Sequence, residues 1–433
     1  MPHTLLRIAT AGSVDDGKST LVGRLLHDSK AILADSLDEL TRTSTERGFG
    51  GEVPALDLAL LTDGLRAERE QGITIDVAYR YFSTDTRSYI LADCPGHVQY
   101  TRNTVTGAST ADVAVVLVDA RNGVLEQTRR HLGVLALLRV PQVVVAVNKM
   151  DLIDWDEQQF SAIVADIEAL ANQLGLARIH TIPLSALGGQ NVVEPGAQSP
   201  WYEGPTLLGL LEAIEPSEHV QEHLPRLDVQ YVIRPQGALA PGLDAEAYRD
   251  FRGYAGTLAG GTLNVGDNVS LLSNGRPAQS QIAGIHTVNG PAASAEAGEA
   301  IVLELADEID IARGDTIVAG ALPEPSKELS AEVCVLAERT LRSGDRVLIK
   351  HGTKVTQAKI SGIEHVLDVL DYSTRPAESL QLNDLGRLSV RTASALAAEA
   401  YASSRTGGSF LLIDPVDGTT LAAGFVQDRH VAA

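Results

Sequence analysis

Between an apolar run, Leu5 to Ala11, and a helical pattern that begins at Lys18 lies Gly12-Ser13-Val14-Asp15-Asp16-Gly17-Lys18-Ser19-Thr20. This G-x-x-x-x-G-K-[ST] stretch constrains the fold more than any other. The run before it predicts a short buried strand, and Lys18 to His27 predicts the first helix. A strand, a glycine turn and a helix start leave several backbone N–H groups free to point at phosphate oxygens. Gly12 and Gly17 let the backbone wrap an anion with no Cβ in the way. Lys18 is placed to reach the β- and γ-phosphates, and the Ser19 hydroxyl to ligate Mg2+. The chain is therefore expected to open with an α/β domain that binds a nucleoside triphosphate.

Asn148-Lys149-Met150-Asp151 narrows the base. It follows Val143 to Val147, a continuous apolar run of the kind a parallel strand shows when both faces are covered. Ligands sit at the carboxyl ends of such strands. The Asp151 carboxylate can accept two N–H bonds from a guanine edge, and adenine offers no such pair of donors. Asn148 braces the loop and the Lys149 stem covers the base. Ser185-Ala186-Leu187, after Ile182-Pro183-Leu184, is a second candidate base loop. The expected ligand is GTP.

Asp93-Cys94-Pro95-Gly96-His97 follows a third strand pattern, Ser88 to Ala92. An Asp at this strand end can hold Mg2+ through water. Gly96 can bring an N–H to the γ-phosphate, and hydrolysis would take that hydrogen bond away. His97, directly after it, is the candidate for orienting the attacking water. Gly72-Ile73-Thr74-Ile75 precedes it, and Thr74 is expected to close the Mg2+ shell. Residues 30 to 70 are expected to form the first switch segment and to order with nucleotide or partner.

The order of these elements resembles that of the translational GTPases, including the elongation factors that deliver aminoacyl-tRNA. One branch is closer: the GTPase (large) subunit of bacterial ATP sulfurylase, also called sulfate adenylyltransferase subunit 1. The resemblance covers nearly the whole chain. It is carried by Ser13 and Asp16, where a tRNA-delivering factor usually has His. It is also carried by Asp76 to Thr84, Gln99 to Asn103, Asp119 to Val124, Pro200-Trp201-Tyr202 and Asp250 to Thr257. It implies GTP hydrolysis coupled to synthesis of adenosine 5′-phosphosulfate and pyrophosphate from ATP and sulfate. It also implies a smaller partner subunit that binds ATP and sulfate, in a heterodimer or higher assembly. Some relatives carry a fused adenylyl-sulfate kinase with its own P-loop. No second P-loop occurs here, so that activity is not expected. The alternative is a carrier of aminoacyl-tRNA built on the same switch.

Length and charge agree with this. The 433 residues suit two to four domains. With 35 basic and 56 acidic residues the net charge is −21, which disfavours broad binding to nucleic acid and suits a protein partner. Two cysteines, Cys94 and Cys334, fit a reducing cytoplasm rather than a disulfide framework. No signal peptide or membrane-spanning run is read.

The expected architecture is an α/β P-loop GTPase domain followed by two small antiparallel β-barrel domains, with boundaries at 1–216, 217–322 and 323–433. Within the first, Phe160, Ile163, Val164, Ile167, Leu170 and Leu174 trace an amphipathic helix. In the first barrel, Leu227 to Val232, Gly253 to Ala259, Asn268 to Leu272, Gln281 to Val288 and Ala300 to Leu305 read as strands. Leu322 to Ser326 reads as a linker. Val333 to Ala337, Arg346 to Lys350, Lys354 to Glu364, Gly386 to Thr392 and Ser409 to Ile413 form the second barrel. Ala393 to Ala402 reads as a loop or short helix. Arg129-Arg130-His131 reads as a solvated helix face, and His219 with His223 as a surface pair rather than a metal site.

Overall fold

The computed structural model describes residues 4–29, 42, 44, 57–61, 76–97, 100–215, 224–235, 238–239, 246, 248–273 and 275–428. Thr74, residues 30–41, His219 and His223 lie outside the described residues. The chain packs as two units, Met1–Ser217 with Asp368–Ser373, and Glu218–Leu367 with Thr374–Ala433.

In the first unit, β1 (Thr4–Gly12), β2 (Ala78–Ser83), β3 (Arg87–Asp93), β4 (Val113–Asp119), β5 (Gln142–Asn148) and β6 (Ile179–Pro183) form one sheet in the order β2-β3-β1-β4-β5-β6. Only β2, at the edge, runs antiparallel; the rest are parallel. Every residue of β4 and β5 is buried, which explains their unbroken valine-rich sequences. The helices are α1 (Lys18–Asp28), α2 (Thr101–Ala108), α3 (Glu126–Leu137), α4 (Glu157–Leu174) and α5 (Leu207–Ala213).

Local chemistry sets the helix ends. In α4 the Asp156 carboxylate caps the Gln158 and Gln159 N–H groups, and Gly175 ends the helix with φ +69°. Its buried residues, Phe160, Ile163, Ile167 and Leu170, recur at three- and four-residue steps. By contrast α1 starts from Gly17 in a left-handed conformation, with no side-chain cap and no acidic residue in its first turn. That leaves a helix N-terminus suited to an anion. A core of Leu6, Ile8, Leu21, Leu25, Leu91 and Leu117 fixes α1 against the sheet.

The strand order reverses on β1, since β3 flanks it on one side and β4 on the other. Ligands bind outside the carboxyl ends of strands at such a point. The last residues of β1, β3, β4 and β5 are Gly12, Asp93, Asp119 and Asn148.

The second unit holds two closed six-stranded antiparallel barrels. The first runs Asn268–Ser273, Thr316–Ala319, Arg226–Asp228, Gly253–Ala259, Ala300–Leu305 and Arg276–Thr287, and closes on its starting strand. The second runs Arg346–His351, Ser409–Ile413, Thr420–Val426, Ser326–Val335, Leu385–Leu396 and Lys354–Leu367, and closes likewise. Closure leaves no open edge around the ring. Each barrel has its own core, Leu227, Leu271 and Leu303 in one, Val333, Ile349 and Leu388 in the other.

Three local expectations need correction. The strand expected over Leu227 to Val232 is broken at Val229 and Gln230, separating Arg226–Asp228 from Tyr231–Ile233. Val229 turns inward there, and its N–H donates to the Asp315 carbonyl at 2.9 Å. The linker ends where the strand Ser326–Val335 begins. Ala393 to Leu396 continues a strand, because Leu396 pairs with Ser326 across a bulge.

Between the barrels Arg226 is fully buried. Its guanidinium donates to Asp228 at 3.1 Å, to the Ala397 carbonyl at 3.1 Å and to Glu399 at 3.4 Å. The neighbouring His351 is also buried and hydrogen-bonded to the Gly407 carbonyl at 2.8 Å. Burial and the Arg226 charge push its pKa down to about 4.

Candidate nucleotide site

The glycine loop closes on itself. Lys18 Nζ donates to the carbonyls of Gly12 at 3.0 Å and Ser13 at 2.8 Å. Asp16 accepts from the Ser13 N–H at 2.6 Å, so the loop is held by its own carboxylate. Burial pushes the Asp16 pKa up, opposed by that hydrogen bond and by Lys18. Burial also lowers the Lys18 pKa, while Asp16 and Asp93 oppose the shift. Gly17 has φ +94°, and a Cβ there would strike the Asn148 amide. Val14 and Asp15 face solvent at the loop tip, and Ser19 and Thr20 are half-buried in the first turn of α1.

Asn148 ties this loop to the second candidate base loop. Its Nδ2 donates to the Asp16 carbonyl at 2.7 Å, and its Oδ1 accepts from the Ala186 N–H at 2.9 Å. Ser185 and Ala186 are buried, whereas Leu187 is exposed. The Ser185 hydroxyl accepts from the Gly188 N–H at 3.1 Å, holding the turn. Arg24 of α1 donates to the carbonyls of Ala186 and Leu187.

Lys149 adopts a left-handed conformation, φ +62°. Its ammonium donates to the Asp15 carbonyl and lies 2.9 Å from Asp119 Oδ2. Burial would raise the Asp119 pKa, but Arg121 and Lys149 outweigh it and hold the carboxyl well below its usual range. Asp151, two residues on, is exposed and makes no hydrogen bond among the described residues. Its carboxylate therefore stays available to a ligand.

On the other side, Asp93 is buried and accepts from the Thr10 hydroxyl at 3.0 Å. That hydroxyl in turn accepts from the Cys94 N–H at 3.2 Å. Gly96 packs onto the glycine loop so closely that a Cβ would strike both Lys18 Nζ and the Gly12 carbonyl. His97 is half-buried, with its ring edge-on to Tyr100 at 6.3 Å between centroids.

These positions bring the loop, Asp93, Gly96, Asn148 and Ser185 to one crevice. Its polar groups suit a phosphate and a divalent cation. Ser13 Oγ is buried with no hydrogen-bond partner, and the Ser19 hydroxyl makes no hydrogen bond among the described residues.

Residues 3–225 match the model of the elongation factor Tu GTP binding domain, and residues 328–427 match the GTP-eEF1A C-terminal domain-like family. Two similar relatives are named sulfate adenylyltransferase subunit 1. The protein from Aeromonas salmonicida (strain A449) is 46% identical over 430 residues, covering 99% of this chain and 88% of that one. The protein from Citrobacter koseri is 47% identical over 434 residues, covering 99% and 88%. A bifunctional enzyme CysN/CysC from Mycobacterium tuberculosis (strain ATCC 25618 / H37Rv) is 48% identical over 433 residues, covering 99% of this chain and 68% of that one. The chain belongs to the sulfate adenylyltransferase subunit 1 family. Its first domain is a GTP-binding domain of the elongation factor Tu type.

This family member carries a residue beneath the loop that the sequence pattern misplaces. His131 is not part of a solvated face but fully buried, and Arg130 is only 15% exposed. His131 hydrogen-bonds the Gly12 backbone, and burial drives its pKa down to about 3. Gln127 Nε2 lies 3.2 Å from its Nε2. The overlooked signal is phase: Thr128, His131, Leu132 and Leu135 share the buried face of α3. No helix among the described residues is long and apolar enough to cross a membrane.

Proposed function

We propose that this chain is the GTP-hydrolysing subunit of sulfate adenylyltransferase, acting in the cytoplasm with a smaller subunit that binds ATP and sulfate. The two would form a heterodimer or higher assembly, with working domains at 1–216, 217–322 and 323–433. Similarity at 46–48% identity over 99% of the chain carries the reading, together with the crevice described above.

In this reading the glycine loop and Lys18 hold the phosphates, and Asp151 selects guanine. Mg2+, held by Ser19, Thr74 and a water on Asp93, supplies charge neutralisation on the phosphates when bound. Gly96 senses the γ-phosphate from its seat on the loop. His97 orients the attacking water. Adenylyl transfer from ATP to sulfate runs strongly uphill, so coupling it to GTP hydrolysis gives the assembly a source of free energy.

The test is to co-express the chain with the smaller subunit and measure the yield of adenosine 5′-phosphosulfate with GTP, without it, and with a non-hydrolysable analogue. A gain that requires hydrolysable GTP supports the reading. No gain, or GTP turnover stimulated by ribosomes and aminoacyl-tRNA, overturns it in favour of a translation carrier.

A further inference from the structure

On the outer wall of the second barrel, Arg346, Lys359 and Arg391 stand in a row on three neighbouring strands. Arg346 is paired with Lys359 across one ladder, and Lys359 with Arg391 across the next. Directly paired residues leave the same face of a sheet, and two inter-strand steps make the row about 10 Å long. All three side chains are exposed, while their strand neighbours Val347, Ala358 and Val390 point into the core.

Like charges directly opposite one another repel. Three in a line are unexpected on a chain of net charge −21. Only Arg391 has an opposite charge beside it, Glu328, which stands directly opposite on the next strand. Among the described residues the side chains of Arg346 and Lys359 make no hydrogen bond or ion pair, and Arg391 has only Glu328, at 3.9 Å and exposed. The nearby Asp345 carboxylate accepts from the Arg342 N–H at 2.9 Å and, among the described residues, forms no ion pair with the row.

Beside the row lies a cavity of about 420 Å³. Its cationic side is the row itself. The next outward-facing pair along the same strands is Leu348 and Gln357, and Ala393 and Pro415 complete an apolar side. A line of cations next to an apolar shelf fits a ligand that carries several negative charges on an apolar ring.

We propose that this groove is a second nucleotide site, on the barrel unit and separate from the glycine loop. It would take a nucleoside di- or triphosphate with its phosphates on Arg346, Lys359 and Arg391 and its base against Leu348, Ala393 and Pro415. The row spans two or three phosphates and no more.

The test uses the full chain with its guanine site saturated by GDP, and adenosine diphosphate as the probe in calorimetric titrations. The expected result is one further equivalent of bound nucleotide, weakened by added salt. Lys359→Glu and Arg391→Glu should each weaken that equivalent at least tenfold, with GTP turnover and thermal midpoint preserved. Lys359→Gln should fall between parent and Lys359→Glu. Absence of the extra equivalent overturns the proposal, as does binding that ignores these substitutions. Inorganic pyrophosphate binding as tightly as adenosine diphosphate removes the role of the apolar shelf and overturns the nucleoside assignment. A single-stranded oligonucleotide binding more tightly than adenosine diphosphate overturns the small-ligand assignment.

Discussion

Asn148 donates its side-chain amide to the Asp16 carbonyl at 2.7 Å. The same side chain accepts from Ala186, so one residue at the end of β5 joins the phosphate loop to the 185–187 turn. Asn148→Ala leaves a buried carbonyl and a buried N–H unpaired, at about 1–3 kcal/mol for such groups. GTP affinity should fall roughly tenfold to a hundredfold, without loss of folded protein by circular dichroism. An affinity equal to the parent chain's would mean that the bridge does not shape the site.

Asp151 is exposed and without a hydrogen bond among the described residues, which fits a carboxylate waiting for the guanine edge. Asp151→Asn reverses the donor and acceptor pattern. The variant should bind GTP more weakly and xanthosine triphosphate more tightly than the parent, read by competition with a fluorescent nucleotide. Retention of full GTP preference would place the base elsewhere.

His97 sits one residue beyond Gly96, which touches the glycine loop. In the His97→Ala variant, single-turnover GTP hydrolysis should slow by roughly a hundredfold, with GTP binding close to that of the parent. If binding and hydrolysis fall together, the imidazole supports the loop instead of the water.

His131 gives the first unit a pH dependence of defined sign. Its pKa drops from 6.5 to about 3 on folding because it is buried. Between those values the unfolded chain takes up a proton that the folded chain refuses. Stability is therefore complete above pH 6.5 and falls as the pH drops toward 3, by at most about 1.4 kcal/mol per pH unit. Trp155 and Trp201 are the only tryptophans, and both belong to the first unit, so urea midpoints by tryptophan fluorescence isolate it. His131→Gln should flatten the slope between pH 6.5 and 4. An unchanged slope would assign the proton uptake to other groups.

Much of the geometry of the candidate site was legible because its signals are local. A glycine turn between a strand and a helix states its own conformation, and the valine runs of β4 and β5 state their burial. His131 was not legible from its neighbours Arg129 and Arg130, whose charges masked the apolar phase of α3. In the barrels, Thr316–Ala319 escaped notice because its partners lie far away in sequence, and Thr420–Val426, though it also pairs with the nearby Ser409–Ile413, has its other partner as far away. Thr316 pairs with Asp228 and Phe425 with Glu332. Such pairing is decided by ring closure, which no short window contains. The row of Arg346, Lys359 and Arg391 exists only once three strands are in register.

Arg226 ties the seam between the two barrels to a late stage of synthesis. It lies in the first strand of the first barrel, yet its carbonyl partner, Ala397, is 171 residues downstream. At ordinary synthesis rates that is roughly 10 to 30 s of translation. Until then a guanidinium that ends up sealed from solvent must stay hydrated, so the seam around it cannot close. The first barrel thus emerges from the ribosome with Arg226 still hydrated, and the seam closes only once the segment carrying Ala397 and Glu399 has been made.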